Sequence, residues 1–221
     1  MWLAIAVPMT IILVALANCY IQKDDIFCSQ TLKERVSAFF PRSPFYIIFL
    51  FIVFIMGITS FGVQYHFFTD YLKAAKLTTL LLLLAPIAFI DLKSKKIPDK
   101  LILIGICIRV LFYVFEIFNN SQIVLNIFIS DMIGILLGGG IFLLAALIVK
   151  NSIGMGDVKM YALIGVFCGY TATFSSIMFS LFLCFIASVV LLIFRKKGRK
   201  DTLPLAPFAF IGTYLVIVLG G

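Results

Sequence analysis

The run Leu80-Leu81-Leu82-Leu83-Leu84-Ala85-Pro86-Ile87-Ala88-Phe89-Ile90 closes on a carboxylate, Asp91, and the basic stretch Lys93-Ser94-Lys95-Lys96 follows at once. Such a run reads as the inner end of a bilayer-spanning helix. Side chains that are apolar all round need lipid or protein on every side, and lysines collect where the chain re-enters the cytoplasm. The whole chain has the same character: of its 221 residues 63% are hydrophobic and 13% charged, against about 45–50% and about 25% in soluble domains. A water-soluble fold of this size could not hide so much apolar surface.

A spanning helix takes about 20 apolar residues, and as few as about 17. That template predicts an all-α, polytopic membrane protein with about eight transmembrane helices and short loops, at 2–20, 44–64, 76–90, 101–118, 126–149, 158–170, 173–194 and 203–220. The third and sixth are short for a full crossing, so either their ends run into the flanking polar residues or the bilayer thins around them. The first resembles a secretory signal, with Ala15-Leu16-Ala17 after an apolar stretch. No Lys or Arg precedes that stretch, so a retained helix is expected.

A net charge of +8 would suggest a nucleic-acid partner in a soluble chain. Here the basic residues sit in short loops and report orientation instead, so no nucleic acid is expected as a partner. Lys23, Lys33, Arg35 and Arg42 occupy the loop 21–43, and Lys93, Lys95, Lys96 and Lys100 the loop 91–100. Lys150 and Lys159 flank the next turn of that side, and Arg195, Lys196, Lys197, Arg199 and Lys200 precede the last helix. Lys73 and Lys76 alone fall on the other side. Eight helices with both termini outside place all four basic loops in the cytoplasm. The five cysteines show no CxxC or Cys/His spacing and His66 is the single histidine, so no disulfide framework, metal site or cofactor is expected. Gly134 and Gly138 form a GxxxG that lets the fifth helix approach a neighbour closely.

An ionisable side chain at membrane depth costs about 2.5–3.5 kcal/mol on insertion scales, so each asks for a reason. Asp24, Asp25, Glu34, Asp70 and Asp201 lie in loops, where solvated pairing accounts for them. Asp91 and Asp157 do not. Asp157 opens the sixth helix within Gly154-Met155-Gly156-Asp157-Val158-Lys159, a motif that by itself reads equally as a tight turn with a helix cap. The charge count puts both carboxylates at the cytoplasmic membrane edge. Two such groups brought together cannot both ionise cheaply, so one can keep a proton while the other accepts one, which suits activation of water against an amide carbonyl. Asp99, after Pro98, reads as a cap of the fourth helix. Lys159 reads as a group that positions substrate or tunes Asp157, or as an interfacial lysine that snorkels. Arg109, within the fourth helix, calls for an ion pair with Glu116 or Asp131. Its alternative is a proton or ion path, which would make the chain a small proton-coupled transporter using its intramembrane carboxylates and Arg109.

Asp91-Leu92-Lys93-Ser94-Lys95-Lys96-Ile97-Pro98-Asp99-Lys100-Leu101 followed by Gly154-Met155-Gly156-Asp157-Val158-Lys159 resembles the two aspartate motifs of the type IV prepilin and preflagellin peptidases, membrane aspartyl proteases of the GxGD class. Leu203-Pro204-Leu205-Ala206-Pro207-Phe208 is similar to the Pro-rich opening of that family's last helix. The resemblance implies that Asp91 and Asp157 are the catalytic dyad, with Gly154, Gly156, Lys159, Pro98 and Asp99 binding substrate or supporting the site. It implies an enzyme of the cytoplasmic membrane, its site facing the cytoplasm, that removes a short basic leader from pilin-like precursor proteins. It also divides the chain into N-terminal helices with their basic loop, 1–75, and a peptidase membrane core, 76–221. Larger bacterial members carry two CxxC pairs and a second, methyltransferase activity. The loop 21–43 offers Cys28 alone, so that activity is not carried over.

Overall fold

The computed structural model describes residues 3–21, 44–68, 70–148, 154–194 and 203–220. Residues 22–43 of the basic loop, with Lys150, Arg195, Lys196, Lys197, Arg199, Lys200 and Asp201, lie outside the described residues. Among those described, every regular element is a helix: α1 (Leu3–Ile21), α2 (Pro44–Phe68), α3 (Tyr71–Ser94), α4 (Asp99–Ile148), α5 (Met155–Ile193) and α6 (Ala206–Leu219).

Two of these helices fold back on themselves. Arg109 and Asp131 of α4 touch at 2.5 Å, although their separation of 22 positions would span about 33 Å of straight helix at 1.5 Å per residue. α4 is therefore a hairpin, with apolar arms Asp99–Asn119 and Val124–Ile148. α5 breaks at Gly169, where φ is 73° and ψ −177°, a left-handed φ that glycine adopts without penalty. A side chain at Gly138 would meet both Tyr161 and Thr173, so the arms before and after Gly169 run side by side. Counting arms, the described residues hold eight apolar helical segments, and with α5 taken whole six helices or arms among them are long and apolar enough to cross a membrane. Both segments that were short by composition gain length from flanking polar residues. The third covers Tyr71–Ser94, and the sixth starts at Met155 and takes in Gly156 and Asp157.

The chain divides into two compact units, Met1–Pro86 and Ile87–Gly221. In the first, α1 packs on α2, with Ala6, Phe61 and Ala74 at its core. Tyr46 donates to Asn18 Oδ1 at 2.9 Å, and the Ser60 and Thr78 hydroxyls meet at 3.3 Å. α3 is buried along most of its length. It is capped by Asp70, whose Oδ1 accepts the N–H groups of Leu72 and Lys73 at 2.9 and 3.4 Å. Asp70 thus has a capping role where the charge count left it in solvent. His66, expected in a loop, sits in the last turn of α2.

In the second unit the Val124–Ile148 arm of α4 crosses the first arm of α5 at very short range. A Cβ on Gly134 would fall 2.5 Å from the Gly165 carbonyl oxygen, and Gly138 lies against Tyr161. Any side chain at Gly134 or Gly165 would push these backbones apart, which is the packing role read from the GxxxG. Phe142 stacks on Tyr161 with ring centroids 4.1 Å apart. The second arm of α5 runs against α6, with the Ser176 and Thr213 hydroxyls 2.7 Å apart.

Candidate active site

Asp91 lies three residues before the C-terminal end of α3 and is buried. Its Oδ2 accepts the backbone N–H of Ala206, the first residue of α6, at 3.0 Å, and the backbone N–H of Leu205 also points to it. The first N–H groups of a helix have no partner within the helix, and here Asp91 supplies one from a distant stretch of chain. Leu203-Pro204-Leu205-Ala206-Pro207 explains why the chain arrives that way. A proline at the start of a helix gives up an N–H that would be unpaired anyway, so the donors that remain, Leu205 and Ala206, face the carboxylate.

Asp157 stands in the first turn of α5, whose N-cap is Gly154. It is therefore not the cap itself. The Asp157 N–H donates to the Gly154 carbonyl at 3.0 Å, and the Gly154 N–H donates back to the Asp157 carboxylate, the reciprocal half of a capping box. A Cβ at Gly154 would lie 3.2 Å from Asp157 Oδ2. The Gly-x-Gly-Asp spacing thus folds the side chain over its own helix start. Asp157 is half-buried, and Asp91 is near enough for its charge to act on the Asp157 carboxyl group.

The connection between α3 and α4 joins the two motifs. A Cβ on Gly156 would lie 2.9 Å from Ile97 Cβ, so the glycine makes room for Ile97. Lys159 Nζ donates to Asp99 Oδ1 at 2.7 Å. Asp99 is the first residue of α4, and its carboxylate goes to this lysine. Pro98 precedes it and accepts the Leu101 N–H at 3.1 Å through its carbonyl. Thus Gly154, Gly156, Pro98, Asp99 and Lys159 all gather around the first turns of α4 and α5. The backbone N–H groups at 205 and 206, and Ile97, were not singled out by sequence reasoning; the paired prolines at 204 and 207 were the available signal.

Arg109 lies apart from this site and has an acceptor at every guanidinium nitrogen. NH1 donates to Glu116 at 3.0 Å, NH2 to Asp131 at 2.5 Å and Nε to the Val166 carbonyl at 2.8 Å. Tyr113 donates its hydroxyl to Asp131 Oδ2 at 2.6 Å, and its ring lies 3.8 Å from the guanidinium carbon. Val166 belongs to the last turn before the break at Gly169, where helical carbonyls lack intrahelical partners. Both acids anticipated for Arg109 are engaged at once in a structural cluster, and nothing in it favours a transport path.

Among the described residues no three His, Cys, Asp or Glu side chains come together to hold a metal ion. No curated protein and no solved structure matches the chain. The model of the type IV leader peptidase family matches residues 77–195, which include Asp91, Asp99, Asp157 and Lys159. The match covers more than half of the chain and the whole of both aspartate motifs, and the chain belongs to the type IV leader peptidase family.

Proposed function

We propose that this peptidase is of the aspartic type, that Asp91 and Asp157 are its catalytic pair, and that it cuts the short basic leader from pilin-like precursors at the cytoplasmic membrane edge. The observation that supports the reading is the meeting of the two motifs, Gly156 against Ile97 and Lys159 Nζ on Asp99 Oδ1 at 2.7 Å, which brings together the two helix ends that bear the carboxylates. The chemistry follows from that pairing. One carboxylate, ionised, takes a proton from a water held between the two as the water oxygen attacks the scissile carbonyl carbon. The other, protonated, gives its proton to the carbonyl oxygen. The tetrahedral intermediate collapses when the C–N bond breaks and a proton passes to the leaving amine.

The substrate reading rests on family membership and on charge. Lys93, Lys95, Lys96 and Lys100 surround the motif, as expected of loops kept in the cytoplasm. A precursor whose basic leader is followed by an apolar helix presents its junction at that depth. The test is co-expression with a candidate precursor and mass measurement of its new N-terminus. Loss of the leader mass with the native chain, and retention of it with Asp91→Asn or Asp157→Asn, is the expected result. Normal processing by either variant would overturn the assignment, and an added methyl increment would restore the second activity that the missing CxxC pairs argue against.

A further inference from the structure

Asp157 sits in the first turn of a helix whose N-cap, Gly154, has no side chain to offer the turn. Helix starts fray unless their N–H groups find partners, and the Gly154 N–H ties the Asp157 carboxylate to its own turn, so contacts from outside help decide where that turn sits. Two such contacts come from the stretch that leads out of Asp91: Ile97 against Gly156, and Asp99 paired with Lys159. That stretch is stiff. Lys95 adopts a left-handed φ of 51°, its N–H bonds to the Asp91 carbonyl at 2.8 Å, and Pro98 has its φ locked by its ring. Asp91 and Asp99 are therefore joined by a rigid turn, and Asp157 and Lys159 by the first turn of α5.

We infer that the Asp99–Lys159 bridge is a positioning pair, which closes a ring of four charged side chains and fixes Asp157 against Asp91. The inference rests on the dyad proposed above. The two side chains are 71% and 47% exposed, and such surface pairs add little to stability, too little to hold the fold. Positioning is a more sensitive quantity: a displacement of about 1 Å at a reacting group can cost about 100-fold in rate. The bridge also spans the seam between the two motifs, where a small stabilisation acts on the separation of the carboxylates rather than on the fold.

The test uses the full chain in liposomes with a pilin-like precursor. Asp99→Asn and Lys159→Met should each lower kcat about tenfold with KM within about twofold, leaving thermal stability unchanged. The exchanged pair, Asp99→Lys with Lys159→Asp, should recover most of that loss. A rise in KM at constant kcat would mean contact with substrate and overturn the inference, as would an exchange no better than the worse single variant. A second readout needs no proteolysis. With the five native cysteines replaced by alanine, Asp91→Cys with Asp157→Cys should be bridged by dibromobimane, which fluoresces once it joins two thiols. Adding Asp99→Asn should slow bridging severalfold, and adding the exchanged pair should restore it. Absence of a bridge in the parent, or an unchanged rate after Asp99→Asn, overturns the inference. That outcome stands whether or not Asp91 and Asp157 carry out the cleavage.

Discussion

The N–H of Ala206 donates to Oδ2 of Asp91 at 3.0 Å, so the carboxylate at the end of α3 also anchors the start of α6. Asp91 is thus tied to the structure as well as to the proposed chemistry, and substitutions can separate the two roles. An asparagine oxygen can still accept the bond, whereas alanine leaves the Ala206 N–H, on a residue 1% exposed, without its acceptor. Asp91→Asn should therefore abolish leader removal at near-native stability, while Asp91→Ala should lose activity and about 1–3 kcal/mol as well. Thermal unfolding in detergent beside a cleavage assay distinguishes the two.

Gly156→Ala should strain the fold more than Gly154→Ala, and both should slow cleavage. A Cβ at 156 would meet Ile97 Cβ at 2.9 Å, while one at 154 would meet the Asp157 carboxylate at 3.2 Å, which can shift but carries the proposed chemistry. Gly156→Ala is expected to reduce turnover about tenfold or more by moving the α3–α4 turn, and Ile97→Ala added to it should restore much of the rate. Cleavage kinetics of the three variants check this.

Arg109→Leu would leave Glu116 and Asp131 buried without their cation. Removing one partner of a buried ionic cluster costs about 3–5 kcal/mol, so the variant should be poorly recovered from membranes. Replacing all three charged residues with apolar ones of similar volume should regain most of that stability. Detergent-solubilised yield and melting temperature give the comparison.

Gly169→Ala should destabilise the hairpin of α5. The residue has φ of 73° and its missing Cβ points at Ser130, so alanine meets an unfavourable backbone conformation and a close neighbour together. A loss of about 1–3 kcal/mol is expected, and adding Ser130→Gly should return the steric part alone. Melting temperatures of the single and double variants measure both parts.

The helical segments could be read from the sequence because the length of an apolar run is a property of the chain alone. The third segment, Tyr71–Ser94, and the start of the sixth at Met155 show the limit: polar residues flank the apolar run there, so composition drew the third too short at both ends and began the sixth too late. Gly169 was harder to place, since an apolar hairpin within a membrane needs no polar loop to announce its turn. Asp91, Asp157 and Arg109 stood out because an ionisable group beside apolar residues is costly. Their partners did not, because cost says that a group must be satisfied without saying by what. The Ala206 N–H is the clearest case: every residue has a backbone donor, and only the fold reveals which one reaches Asp91.

The Arg109 cluster has a bearing on biogenesis. Arg109 and Glu116 lie on one arm of α4 and Asp131 on the other, so cation and anions meet within a single pair of consecutive segments. The tip joining them, Asn119-Asn120-Ser121-Gln122-Ile123, has no charged residue. This pair can enter hydrocarbon as one unit with the cation already bound to both acids, before α5 has been synthesised and before the Val166 carbonyl exists to accept from Nε.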